Sequence, residues 1–143
     1  MSKIIVAILL ITVELLNAQT NSEVNKIEKE LNQCLTDSSG VTGQFNCLNK
    51  AAENWEKLMQ KKYNLLLKIL PEEERQDLIN AQKKWEEYEI VEALLAEKIE
   101  SRYYSLNPKM TIYPQIAEER KMNLLKTRAI ELTEYCNLIT DKK

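Results

Sequence analysis

Large apolar residues recur at three- and four-residue intervals along most of this chain, and the clearest run is Leu78, Ala81, Trp85 and Tyr88. On an α-helix that spacing gathers all four into one stripe, so the segment should lie along other helices and bury it. Gln82 borders the stripe, where a side-chain amide suits a hydrogen bond to a neighbouring helix. Val91, Leu95, Ile99 and Tyr103 extend the stripe, so its helix reaches Tyr104 either as one rod or as two pieces with a bend.

The same period appears on both sides of that stretch. From an N-cap at Asn21 or Ser22, the residues Val24, Ile27 and Leu31 predict a short helix ending near Cys34, and Asp37-Ser38-Ser39-Gly40 reads as a turn. Thr42 is placed to cap a long second helix whose stripe runs through Phe45, Leu48, Ala52, Trp55, Met59, Tyr63, Leu66 and Leu70. Pro71 stops it, since proline disfavours helix at the residue before it and suits the first turn of a new one. Glu72, Glu73, Glu74 and Asp77 follow, acids placed where the dipole of the third helix favours them. Ser105 to Pro114 should be a loop, and a last helix from Pro114 or Gln115 carries Leu125, Ala129, Leu132, Cys136 and Ile139 on one face, flanked by Leu124 and Tyr135. The predicted fold is all-α: a small antiparallel bundle or hairpin of about four helices with one disulfide.

Pairing of the second and third helices follows from the short link at Pro71. Between 45 and 70 five lysines stand against two glutamates, and between 71 and 100 ten acids stand against four bases, so opposite rims would assist that pairing. Each exposed ion pair contributes only about 0–1 kcal/mol, against roughly 1.5–3 kcal/mol for each large apolar side chain buried. Trp55, Trp85 and the leucine stripes should therefore dominate, with Trp85 packing toward Trp55.

The N-terminus changes the setting. Lys3, the apolar run from Ile4 to Val13, Leu15, Leu16 and the small Ala18 before Gln19 read as a secretory signal peptide cleaved after Ala18. The run is about half of the roughly 20 residues that a membrane span needs, so a retained anchor is the weaker reading. Residues 1–18 are then the leader and 19–143 a single helical domain, periplasmic or secreted, with no membrane span after cleavage. In an exported protein cysteines tend to pair, and Cys34 and Cys47 are the natural couple across the turn between the first two helices. Cys136 is left over on an apolar face and reads as a buried free thiol rather than an intermolecular link.

Composition removes several function classes. With no histidine, a serine–histidine triad, a histidine base and the usual histidine-bearing zinc sites are excluded. A formal charge of -2 is too balanced for a generic nucleic-acid binder, and no CxxC pair or glycine-rich phosphate loop suggests a metal or cofactor. A two-carboxylate glycosidase needs a cleft holding its acids in unlike environments, and acids on the rim of a bundle give no sign of one. We expect no enzyme, no catalytic residues and no cofactor.

The order of Cys34, Thr42, Cys47, Tyr63-Asn64-Leu65-Leu66, Leu78, then Ala81-Gln82-x-x-Trp85-x-x-Tyr88, and Arg128-Ala129-x-x-Leu132 resembles the LprI-type lysozyme-inhibitor family, small helical proteins of the bacterial envelope. The resemblance covers roughly Leu31 to Tyr135 and rests most on the alanine-glutamine-x-x-tryptophan segment behind the cysteine pair. It implies a structural role for Gln82, Trp85, Tyr88 and Arg128, and a protein partner, lysozyme, met by surface or cleft occlusion. Glu86, Glu89, Glu97 and Glu100, close to one face away from Trp85, are the acids expected to meet a basic enzyme. The chain also departs from the family, which commonly has arginine and aspartate where Glu89 and Ile90 stand here. A second disulfide of the family is absent too, Ala93 standing near one of its positions and Lys121 or Met122 near the other. Losing both partners of that bridge together fits a divergent member, while the missing arginine–aspartate pair and the weak net charge favour an alternative, a non-catalytic envelope interaction or structural protein with another periplasmic partner.

Overall fold

A computed structural model of the chain describes residues 22–107 and 113–140. The expected leader and the middle of the expected loop, 108–112, lie outside them. Four α-helices occupy nearly all the rest: α1 (22–37), α2 (Gly40–Ile69), α3 (Glu72–Leu106) and α4 (Tyr113–Thr140). Among the described residues there is no strand, and no helix is long and apolar enough to cross a membrane.

Local chemistry accounts for the boundaries. Only Ser38 and Ser39 interrupt the first two helices, so α1 runs three residues past Cys34 and α2 begins before Thr42. Gly40 supplies the reversal with a φ of 76°, a left-handed conformation that costs glycine little. The Cys34–Cys47 disulfide spans this corner, with its Cα atoms 5.7 Å apart. At the other end of α2, Leu70 and Pro71 are extended, as the proline requires, and Arg75 reaches back to donate from Nη2 to the Leu70 carbonyl at 3.0 Å.

The core lies between α2 and α4 and is closed by α1. Leu48, Ala52, Trp55, Met59 and Leu66 of α2 meet Met122, Leu125, Ala129, Leu132 and Cys136 of α4, with Ile27 and Leu31 of α1 completing it. Ala51, Ala52 and Ala129 are almost fully buried, small residues that let helices approach closely. The Cys136 thiol donates to the Lys62 carbonyl at 3.7 Å, and burial pushes its pKa up.

The expected α2–α3 partnership is the main correction. α2 runs along α4, while α3 touches both only sparsely. No salt bridge among the described residues joins α2 to α3. The ion pairs tie Glu23 of α1 to Lys61 and Lys62 of α2, Glu28 of α1 to Lys126 of α4, and Glu100 of α3 to Arg120 of α4. The long stripe on α3 is corrected with it. Leu78 is buried and Trp85 is half-buried against the core that holds Trp55, but Ala81 is exposed and so are Tyr88, Val91, Leu95, Ile99 and Tyr103. α3 is one unbroken rod that turns a different face inward, carrying Leu78, Gln82, Ala96 and Glu100.

Candidate functional site

The second half of that inward face carries alanines and glutamates, and α4 answers it with Arg120 and Lys121. Leu78, Gln82, Ala96 and Glu100 are spaced for one helical stripe, and Glu89 and Ala93 lie along it. Alanines at 93 and 96 leave space where larger side chains would fill the seam. The result is a cleft of about 450 Å³ between the second half of α3 and the start of α4, within the range of small ligand sites. Its walls are Ala93, Ala96, Ala117 and Leu124, and its polar groups are Glu89, Glu97, Glu100, Glu118, Arg120 and Lys121.

Glu100 is the deepest acid at 7% exposure. Its Oε1 accepts from Arg120 Nε at 3.1 Å, while its Oε2 is buried without a hydrogen-bond partner. Glu118 Oε1 is also buried without a hydrogen bond, with Lys121 Nζ 4.0 Å away. A buried acceptor without a hydrogen bond costs about 1–3 kcal/mol, more when charged. Trp55 Nε1 and Arg128 Nη2 elsewhere in the core are also without one, and what sets the cleft apart is that both of its atoms belong to carboxylates. Burial pushes the Glu89 carboxyl above the usual range; Lys121 acts against the shift, and Glu56 and Glu86 add to it.

The four acids singled out in the sequence are thus divided. Glu89, Glu97 and Glu100 line the cleft, whereas Glu86 is exposed and accepts from Gln82 Nε2 at 3.2 Å. They stand toward α4, and the apolar stripe is what faces outward. Ala93 and Lys121, near the positions of the family's second bridge, both line this cleft, as do Glu89 and Ile90. Gln82 Oε1 accepts from Arg128 Nε at 3.1 Å, a buried tie between α3 and α4, and Arg128 Nη1 donates to Glu131 at 3.1 Å. Tyr88 is 52% exposed. The α4 half of the cleft, Glu118, Arg120 and Lys121, was not singled out; its sequence signal is a mixed-charge turn just after the loop, a common pattern on solvated helices.

The sequence model of the LprI family, described as lysozyme inhibitor LprI, matches residues 34–132. The chain belongs to the LprI lysozyme-inhibitor family. The matched span opens on the first cysteine of the disulfide and ends in the buried part of α4, so this LprI chain carries the whole of α3 and its cleft within the family region. No curated protein and no solved structure matches the chain.

Proposed function

We propose that this LprI-family chain is an exported bacterial envelope protein, released from a leader at residues 1–18, that binds a lysozyme and blocks its substrate cleft. It acts by occupying a surface and performs no catalysis. The family match carries the reading. The acids at the α3–α4 cleft support it, since Glu89 and Glu97 near a basic enzyme would steer association and fix its orientation. Attraction between exposed charges is screened beyond a Debye length of about 8 Å at physiological salt, so inhibition should weaken as salt rises. Lysozyme clearing a suspension of bacterial cell walls provides the test. Excess protein should slow the clearing, and clearing at the uninhibited rate would remove the proposal.

A second reading, a non-catalytic envelope interaction protein with a periplasmic partner other than lysozyme, draws on the uncovered apolar stripe from Tyr88 to Tyr103. Contiguous exposed apolar surface marks contact sites more often than chance. Changing Val91 and Ile99 to serine would leave lysozyme inhibition intact on the first reading. On the second it would abolish binding to the periplasmic partner.

A further inference from the structure

Two carboxylates on facing helices approach the same cleft, each with a buried oxygen that has no hydrogen-bond partner: Glu100 Oε2 and Glu118 Oε1. Glu100 is more than nine-tenths buried, and its other oxygen is taken by Arg120. Around the cleft four carboxylates meet two bases, which leaves an excess of negative charge. Among the described residues no group of three or more acids or cysteines is spaced to hold a metal ion. The remaining wall is Ala93, Ala96, Ala117 and Leu124, a lining that suits an alkyl stem better than a sugar. Long basic side chains bury such stems along apolar surface and keep the charged end on polar groups. Ile90, 61% exposed, forms part of the rim, and an exposed isoleucine beside an acidic cleft suits cover by a protein surface.

We propose that the α3–α4 cleft is a socket for one lysine or arginine side chain of a basic protein partner, with the stem along Ala93, Ala96 and Ala117 and the cationic head between Glu100 Oε2 and Glu118 Oε1. The socket deepens the lysozyme reading and rests on it for the partner, though not for the chemistry of the side chain received. Both oxygens are closed off in the free protein and Glu118 Oε1 has Lys121 Nζ 4.0 Å away, so the two carboxylates turn toward an incoming ammonium or guanidinium, which supplies their missing donors and offsets the local excess of acid.

The test separates the socket from the partner. The protein, with its disulfide intact, is titrated with N-acetyl-lysine amide and N-acetyl-arginine amide while the backbone amide resonances of Ala93, Ala96 and Ala117 are followed. N-acetyl-norleucine amide serves as the uncharged control. Saturable shifts confined to the cleft are expected at the roughly millimolar affinity of ligands this small, with none from the control. Glu118→Gln leaves the Glu100–Arg120 pair intact and should weaken that binding about tenfold, as should Glu100→Gln, whose folding is checked by circular dichroism. Shifts that are absent, scattered over the surface, or unchanged in Glu118→Gln overturn the socket. The cell-wall assay is run beside it. Inhibition by the native protein that Glu118→Gln leaves unaltered removes the socket and keeps the lysozyme reading, whereas cleft-confined shifts without inhibition keep the socket and remove lysozyme as the partner.

Discussion

α2 and the second half of α3 carry apolar stripes of the same helical period, and the molecule treats them in opposite ways. On α2, Leu48, Ala52, Trp55, Met59 and Leu66 are buried against α4 and α1. On α3, Val91 is 64% exposed and Ile99 is 59% exposed, and it is the strip of alanine and glutamate beside them that faces α4. A periodic pattern therefore establishes that a helix has an apolar face without establishing that its own chain covers it. What separates the two is the partner. α4 presents Ala129, Leu132 and Cys136 to α2, and Ala117, Arg120 and Lys121 to α3. A dry seam forms in the first place, and a polar cleft in the second.

The largest expected effect is at the centre of the dry seam. Trp55 has 0% exposure and packs beneath Lys126, whose Nζ lies 5.9 Å from its ring centroid. Trp55→Ala should cost about 3–5 kcal/mol in urea unfolding, a large share of a typical total of about 5–15 kcal/mol. A loss below about 1 kcal/mol would mean that α2 and α4 are not held together there, and the contrast with α3 would lapse.

Next is the covalent corner. The sequence separation between Cys34 and Cys47 is 13, and the chain-entropy estimate for so short a loop is about 3 kcal/mol. Converting both cysteines to serine should lower stability by about that amount, because α1 would then depend on the packing of Val24, Ile27, Leu31 and Leu35 and on its polar contacts with α2 and α4. If the double-serine variant and the native protein unfold at the same urea concentration, α1 docks without help from the bond.

How much of this was legible in the sequence differs between the same two regions. The α2 boundary at Pro71, the burial of Trp55 and the cysteine pairing follow from local rules: a proline, one strong stripe, and two cysteines either side of a turn. The orientation of α3 does not follow from such rules. Two of its stripes have helical spacing, Leu78–Gln82–Ala96–Glu100 and Tyr88–Val91–Leu95–Ile99, and the more apolar one is the natural choice for burial. What decides between them lies far along the chain, in Arg128 bonded to Gln82 and Arg120 bonded to Glu100. Three of the four acids singled out line the cleft with α4, but the answering residues on α4 look like ordinary surface until the two helices are set side by side.

A smaller effect appears on acidification. Burial works against the charge of Glu23, and the hydrogen bonds from Lys61 and Lys62 outweigh it, holding its carboxyl below the ordinary value of 4.5. A carboxyl lowered in the folded state contributes stability above its ordinary value and loses it as pH falls through the folded value. Lys62 makes the pair more than a surface contact, since it is 3% exposed and its Nζ lies 2.9 Å from Glu23 Oε2. Glu23→Gln should cost about 1–2 kcal/mol at pH 7, discounted because Glu23 is partly solvated, and the gap to the native protein should narrow below about pH 4.5. A gap of constant size down to pH 3 would show that the charge of Glu23 contributes nothing to docking α1.

The smallest expected change gives the sharpest test of the contrast. Isoleucine and serine have similar helix propensities, so Ile99→Ser alters α3 mainly by removing apolar surface. At an exposed site with no partner that removal should shift stability by no more than about 0.5 kcal/mol, even though the same kind of change at a buried leucine would cost several times as much. Adding Val91→Ser should leave the sum below about 1 kcal/mol, because the two residues lie two turns apart and share no core. Urea midpoints measured across a range of protein concentration settle the matter. A loss above about 2 kcal/mol would mean that another surface already covers the stripe. If the loss grew with protein concentration, that cover would be a second copy of the chain, since self-association ties stability to concentration.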